Sequence, residues 1–190
     1  MADMTEIRWH GRGGQGVVTA SKVVAEAALS AGKYIQAFPE YGPERMGAPI
    51  RSFTRIGEKP IRIHSQVTNP GIVVVLDPTL LGVVDLIEGL PDNGIFLMNT
   101  PKAPREIRTA LNYSKGRVFT VNATQIALDK FGRNIPNTPM VGALVKASGV
   151  IALGHVIEDF KNRYAGKFKK EIVEGNIQAI ETAYNEVTGE

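Results

Sequence analysis

The hexapeptide Gly11-Arg12-Gly13-Gly14-Gln15-Gly16 constrains what this chain can fold into more than any other stretch. A strand-like run enters it, Glu6 to His10, with Ile7 and Trp9 on one face. An alanine-rich run of helical period leaves it, from about Gln15 to Ala31. Strand, glycine turn and helix in that order make a βα unit, the building block of a parallel sheet. The glycines permit a tight turn and a close approach of ligand to backbone, while the free N–H groups opening the helix favour negative charge. Arg12 adds a permanent cation whose planar donor fork suits phosphate. The spacing also meets the loose dinucleotide pattern G-x-G-x-x-G. A ligand-free βα turn uses the same glycines, so the flanking strand and helix carry the functional reading.

A nicotinamide or flavin fold makes a second demand: an acidic side chain ending the next strand, about 20 residues on, to hold the ribose hydroxyls. The next strand-like run, Lys33 to Phe38, contains none, and Glu40 follows beyond a proline. No Gly-Lys-Ser/Thr closes the turn, so it is not a P-loop either. What remains is a phosphate-cradling turn for an anionic ligand other than a typical dinucleotide.

Downstream, Pro39 to Pro49 is too rich in proline and glycine for a regular element, and it embeds Tyr41, Glu44 and Arg45. Charges in so rigid a loop point to a task, with pairing to neighbours as the alternative. Ile50–Ile56 and Pro60–Ile63, separated by Gly57-Glu58-Lys59, read as an antiparallel hairpin. Gly71–Asp77 and Gly94–Asn99 read as strands buried on both faces, and Arg117–Asn122 as a shorter one. A short helical piece is expected up to Leu86, and helices over Arg105–Leu111, Ala123–Phe131, Asn137–Leu153, His155–Tyr164 and Lys170–Val187. Asn137-Thr138-Pro139 has the chemistry of a helix start, which by itself accounts for Asn137 and Thr138. The expected fold is α/β: a three-layer, Rossmann-like, mostly parallel but partly mixed sheet with helices on both faces. With no linker or repeat, residues 1–190 read as a single domain.

The 190 residues hold no cysteine, which excludes disulfides and thiolate ligation of zinc or iron–sulfur clusters by this chain. The net charge of +3 comes without an aromatic-interleaved basic strip, so neither nucleic acid nor membrane is an expected partner. No run approaches a membrane span and no leader is visible, so the expected location is the cytoplasm. Of the three histidines only His10 lies beside the glycine turn, and no metal cluster, nucleophile elbow or complete catalytic set is visible. Such a chain binds a ligand without performing chemistry alone.

Four ordered motifs sharpen this picture: Gly11–Gly16; Tyr41-Gly42-Pro43-Glu44-Arg45 with Gly47-Ala48-Pro49; Val75-Leu76-Asp77-Pro78-Thr79-Leu80-Leu81; and Ile135-Pro136-Asn137-Thr138-Pro139-Met140 with Gly142-Ala143. With them the chain resembles the gamma subunit of 2-oxoacid:ferredoxin oxidoreductases, most closely the pyruvate:ferredoxin type, equivalent to domain III of the single-chain enzymes. Met46 departs from the second basic or small residue of many relatives and leaves Arg45 alone at that spot. The resemblance implies oxidative decarboxylation of pyruvate with coenzyme A to acetyl-CoA and carbon dioxide, electrons passing to ferredoxin. It places thiamine diphosphate and [4Fe-4S] clusters in alpha, beta and delta-type partner subunits. This chain is then expected to bind coenzyme A and cover the active site. Gly11, Arg12, Gly13, Gly14, Gln15 and Gly16 are the expected phosphate contacts, with Tyr41, Glu44, Arg45, Asn137 and Thr138 completing the site or docking subunits. The alternatives are a gamma subunit for 2-oxoglutarate, a branched-chain acid or indolepyruvate, a free-standing NAD(P)-dependent oxidoreductase, and a structural subunit with an empty turn.

Overall fold

The computed structural model describes residues 4–40 and 47–190. Strand β1 (Met4–Arg12) is longer than its apolar alternation suggests, and it carries Gly11 and Arg12 as its last two residues. Helix α1 (Val17–Ser30) follows the turn and lays Val17, Ala20, Val24, Ala27 and Ala28 on the sheet. It leads to β2 (Tyr34–Glu40) and then β3 (Pro49–Gly57). Strands β4 (Ile72–Val75), β5 (Ile95–Asn99) and β6 (Arg117–Val121) continue the sheet, and β7 (Thr188–Gly189) ends it. Between them lie α2 (Pro104–Leu111), α3 (Ala123–Phe131), α4 (Asn137–Ser148), α5 (Leu153–Tyr164) and α6 (Lys170–Glu186).

The seven-stranded sheet has the order β2-β3-β1-β4-β5-β6-β7. Strands β1, β4, β5 and β6 are parallel, while β3 runs antiparallel to both β1 and β2, and β7 antiparallel to β6. The expected mixed, mostly parallel α/β architecture is present. From β1 the chain departs through α1 toward β2 on one side, while β4 lies on the other. That divergence is where open α/β sheets bind ligands, outside the carboxyl ends of the strands.

One face packs Ile7, Trp9, Val74 and Leu97 against α1, α4 and α6 in the main core. Trp9 is fully buried, and its indole N–H donates to Thr54 Oγ1 at 3.1 Å, which satisfies its one polar atom. Helix α4 is the centre of this layer, buried from Thr138 to Val145. A Cβ on its Gly142 would overlap the Ile180 carbonyl oxygen, so the absent side chain lets α4 and α6 meet backbone to backbone. The opposite face has a smaller core around Val73, Val75, Leu80, Phe96 and Ile107, covered by α2 and by irregular chain.

Arginines take the place of a helix on that second face. Arg55, 1% exposed at its side chain, donates from Nε to Glu6 Oε1 at 2.7 Å, and from Nη1 and Nη2 to the carbonyls of Ile63 and Ser65 at 3.3 and 2.8 Å. Arg8 likewise reaches the carbonyls of Leu86 and Glu88 at 3.2 and 2.7 Å.

Three expectations are corrected. Residues 60–63 form no strand, because β2 and β1 occupy both edges of β3 and leave no ladder for Pro60–Ile63. Arg55 straps that segment over the sheet instead. The long helix expected to reach Leu153 ends at Ser148, where Gly149 turns left-handed at φ 65°. The short helical piece expected up to Leu86 does not form; a 3-10 turn, Pro78–Leu80, is capped by Asp77 and is followed by turns. The C-terminal strand β7 was not expected.

Candidate functional site: the glycine turn and its cleft

Gly14 and Gly16 have φ of 93° and 77°, which L side chains rarely adopt. Gly16 is the N-cap of α1 and provides no side-chain cap, so the N–H groups of the first helical turn stay available. Among the described residues, none beyond its chain neighbours comes within 4 Å of where a Gly14 Cβ would stand. Several of the turn's own donors are already engaged. Arg12 N–H donates to Gln15 Oε1 at 2.7 Å, Gly13 N–H to the Ala48 carbonyl at 3.3 Å, and Gln15 N–H to the Arg12 carbonyl at 3.2 Å. The N–H groups of Gly14 and Gly16 have no partner among the described residues, and with the first turn of α1 they make a group of backbone donors of the kind that can hold an anion.

The turn is held by the loop that leaves β4. Gln15 Nε2 donates to Asp77 Oδ2 at 2.6 Å, while the Thr79 N–H and hydroxyl donate to Asp77 Oδ1 at 2.8 and 2.6 Å. Arg12 lies 3.4 Å from Asp77, and it donates to Thr79 Oγ1 at 3.1 Å and to the Gly47 carbonyl at 3.0 Å. Burial pushes the Asp77 carboxyl up, but the bonds from Thr79 and Gln15 and the Arg12 charge outweigh it and hold its pKa below the usual carboxylate value. The Gln15 side chain and two of the three Arg12 nitrogens therefore serve the turn itself. Arg12 Nη2 remains free among the described residues.

Asn137 joins this site and Thr138 turns away from it. The Asn137 carboxamide occupies the place that a Gly16 side chain would take, so α4 opens directly beside α1. Asn137 is the first helical residue rather than the cap, and its Oδ1 accepts from Thr138 N–H at 2.8 Å. Thr138, 4% exposed, donates its hydroxyl to Asn176 Oδ1 at 2.8 Å. Tyr41, Glu44 and Arg45 lie outside the described residues.

Thr19, Asn137 and Thr138 also line a cleft of about 320 Å³ whose other walls come from α5, α6 and the end of α3. Its walls include Phe131, Phe160, Tyr164 and Phe168, with Arg133 at the margin. The rings of Phe160 and Tyr164 lie 4.5 Å apart, and Tyr164 stacks on Phe168 at 5.7 Å. Sequence reasoning missed this cleft, although its signal was present as aromatics at 160, 164 and 168, an i, i+4, i+8 stripe. It also missed Asp77 as the anchor of the turn; the signal was an acid closing an all-apolar strand.

Glu40 stands at the end of β2, where a dinucleotide fold would want an acid. It is bound on both carboxylate oxygens by Arg51 and on one by Gln66. Moreover β3 separates β2 from β1, which puts Glu40 two strand spacings, roughly 9–10 Å, from the strand that carries the turn. This geometry disfavours the nicotinamide reading.

A family model described as pyruvate ferredoxin/flavodoxin oxidoreductase matches residues 6–186. The chain is 49% identical over 182 residues to pyruvate synthase subunit PorC of Thermotoga maritima, covering 96% of this chain and 94% of that one. It is 48% identical to the pyruvate/ketoisovalerate oxidoreductases common subunit gamma of Thermococcus kodakarensis, covering 96% of each. Its fold matches the crystal structure of pyruvate oxidoreductase subunit PORC from Thermotoga maritima with a TM-score of 0.87 and 45% identity, over 98% of both chains.

Proposed function

Because the chain belongs to the pyruvate ferredoxin/flavodoxin oxidoreductase family, we propose that it is the gamma-type subunit of a pyruvate:ferredoxin oxidoreductase. The assembled enzyme converts pyruvate, coenzyme A and oxidised ferredoxin to acetyl-CoA, carbon dioxide and reduced ferredoxin. Near-complete coverage of relatives named as subunits of pyruvate synthase supports this assignment. Lacking cysteine, the chain supplies no thiolate to a cluster, so the iron–sulfur clusters, and with them the thiamine chemistry that feeds them electrons, are assigned to alpha, beta and delta-type partners on the family resemblance. The described residues contain no helix long and apolar enough to cross a membrane, which suits an assembly working in the cytoplasm.

The contribution of this chain is to hold coenzyme A. One observation carries that reading: an uncapped helix N-terminus behind an open Gly14, flanked by a cleft with aromatic walls. Gly14, Gly16, the first turn of α1 and Arg12 Nη2 face the phosphates, with Asn137 at the border between turn and cleft. Gly11, Gly13 and Gln15 shape the turn rather than touch the ligand, and Thr138 supports α4. Tyr41, Glu44 and Arg45 are left for subunit docking or site cover.

The test is anoxic purification of the assembly through a tag on this chain, followed by coenzyme A kinetics. Co-purifying iron- and thiamine-bearing subunits and a raised coenzyme A KM in Gly14→Val are the expected results. A chain that elutes alone, or unchanged kinetics in the variant, overturns the respective half of the proposal. A second 2-oxoacid is also favoured by an observation, since the relative 48% identical to this chain is named for both pyruvate and ketoisovalerate. Assay of the purified assembly with both acids decides it.

A further inference from the structure

Beneath the arginine-strapped face lies a second cleft, of about 350 Å³, lined by His10 of β1, Glu40 of β2, Pro49, Ile50 and Arg51 of β3, and Val84, Asp85 and Glu88 of the loop after β4. His10 alternates with Trp9, so its side chain lies on the face of β1 away from α1. It is 3% exposed, and its Nε2 accepts from Arg8 Nε at 2.9 Å. Burial, with the charges of Arg8 and Arg51 adding to it, lowers its pKa to about 3, so the imidazole is neutral near pH 7. An accepting Nε2 on a neutral ring puts the proton on Nδ1. That N–H has no partner among the described residues, and no fully buried side-chain polar atom there lacks one. Nδ1–H therefore opens into the cleft as an unused donor.

Charges of both signs surround it. Arg51 spends Nε and Nη2 on Glu40, which leaves Nη1 unpartnered among the described residues beside His10. Arg8 lies behind the histidine, outside the lining, with its guanidinium on the Leu86 and Glu88 carbonyls, so that Arg8 and Arg51 together outweigh the one carboxylate of Glu40 on that side. Asp85 and Glu88 are exposed at the rim, and Pro49, Ile50 and Val84 supply apolar wall. The donors of His10 and Arg51 on one side, the carboxylates of Asp85 and Glu88 on the other and aliphatic surface between complement a small zwitterion with an apolar side chain. The volume sits at the low end of small-molecule sites.

We propose that this cleft binds an aliphatic α-amino acid, its carboxylate inward on His10 Nδ1 and Arg51 and its ammonium outward on Asp85 and Glu88. The site is independent of the coenzyme A reading, since it uses the other face of β1 and none of the residues of the glycine turn. Its ligand differs from a 2-oxoacid only in bearing an ammonium where the oxoacid has a carbonyl, and the rim carboxylates make that distinction.

Calorimetric titration of the full chain with leucine, with the 2-oxoacid of the same skeleton and with 3-methylbutylamine tests the assignment. Leucine binds, and each single-charge analogue binds at least about tenfold more weakly. The double variant Asp85→Asn/Glu88→Gln, at two exposed side chains and with the Asn oxygen still able to accept the Ile87 N–H, lowers leucine affinity by at least about tenfold with an unchanged circular dichroism melt. His10→Asn, which keeps a donor, retains binding that His10→Phe abolishes; if the phenylalanine variant does not fold, the rim variant alone decides. No heat with leucine, equal binding of the oxoacid or the amine, or an unaffected rim variant overturns the proposal.

Discussion

Gln15 Nε2 donates to Asp77 Oδ2 across 2.6 Å, and its Oε1 accepts the Arg12 N–H, so one side chain fastens the turn after β1 to the loop after β4. The glycines make the turn possible, but a flexible segment costs more ordering entropy on binding unless something holds it beforehand. Asp77 is that holder. Asp77→Ala leaves Gln15, Thr79 and Arg12 without their common acceptor. The expected outcome is a loss of about 1–3 kcal/mol in stability and a raised coenzyme A KM with little change in kcat. Because the folded pKa of Asp77 is lowered, its contribution is present above the unfolded value and disappears as pH falls through the folded one. Chemical denaturation and steady-state kinetics of the assembly check the two parts separately.

His10 gives the chain an acid-sensitive range of its own. In the unfolded chain it protonates near the ordinary 6.5, and in the folded chain only near about 3. Stability is complete above the first value and declines as pH falls between the two, by at most about 1.4 kcal/mol per pH unit. His10→Asn keeps an acceptor for Arg8 and removes the titration, so its urea midpoint should vary less across that window. Equal slopes for the two proteins would refute the assignment.

The strap over the second face depends on Arg55. Arg55→Met removes a nearly inaccessible cation and leaves the Glu6 carboxylate and the Ile63 and Ser65 carbonyls without their donor. A loss of about 3–5 kcal/mol is expected, and Arg55→Lys should restore little, because one ammonium cannot span the same fork of acceptors. Hydrogen exchange should quicken across residues 58–67 before it does in β4 and β5.

Backbone contact between α4 and α6 sets a size limit at Gly142. Gly142→Leu would press a side chain into the Ile180 carbonyl and should cost about 3 kcal/mol or more. At Gly154 in α5 no described residue outside its own turn of helix lies within 4 Å of an added Cβ, and Gly154→Ala should instead stabilise by about 0.5–1 kcal/mol. Thermal melts of the pair separate crowding from helix propensity.

Much of this protein was legible as sequence because the signals are local. Continuous apolar runs at 72–76 and 95–98 can only be strands covered on both faces, and Gly11 to Gly16 between a strand and a helix can only be a βα turn. The glycine turn and its helix follow from residues within a few positions of one another, and each of the four motifs behind the family likeness is itself a short run. Strand partnership does not. Pro60–Ile63 has the composition of a hairpin arm, yet β1 and β2 take both edges of β3, a competition that no local pattern records. The same insertion of β3 moves Glu40 away from β1 and turns a well-placed acid into a partner of Arg51. Side-chain assignment shows the same limit. Arg12 and Gln15 carry the chemistry to meet a phosphate, but Asp77, 62 positions beyond Gln15, claims most of it. The sequence by itself determined most of the elements and the glycine turn between β1 and α1, since backbone preference and hydrophobic period act over a few residues. Only the tertiary structure decided which donors stay free and that β1 carries a cleft on its far face, because both depend on charges and strand edges brought together from distant parts of the chain.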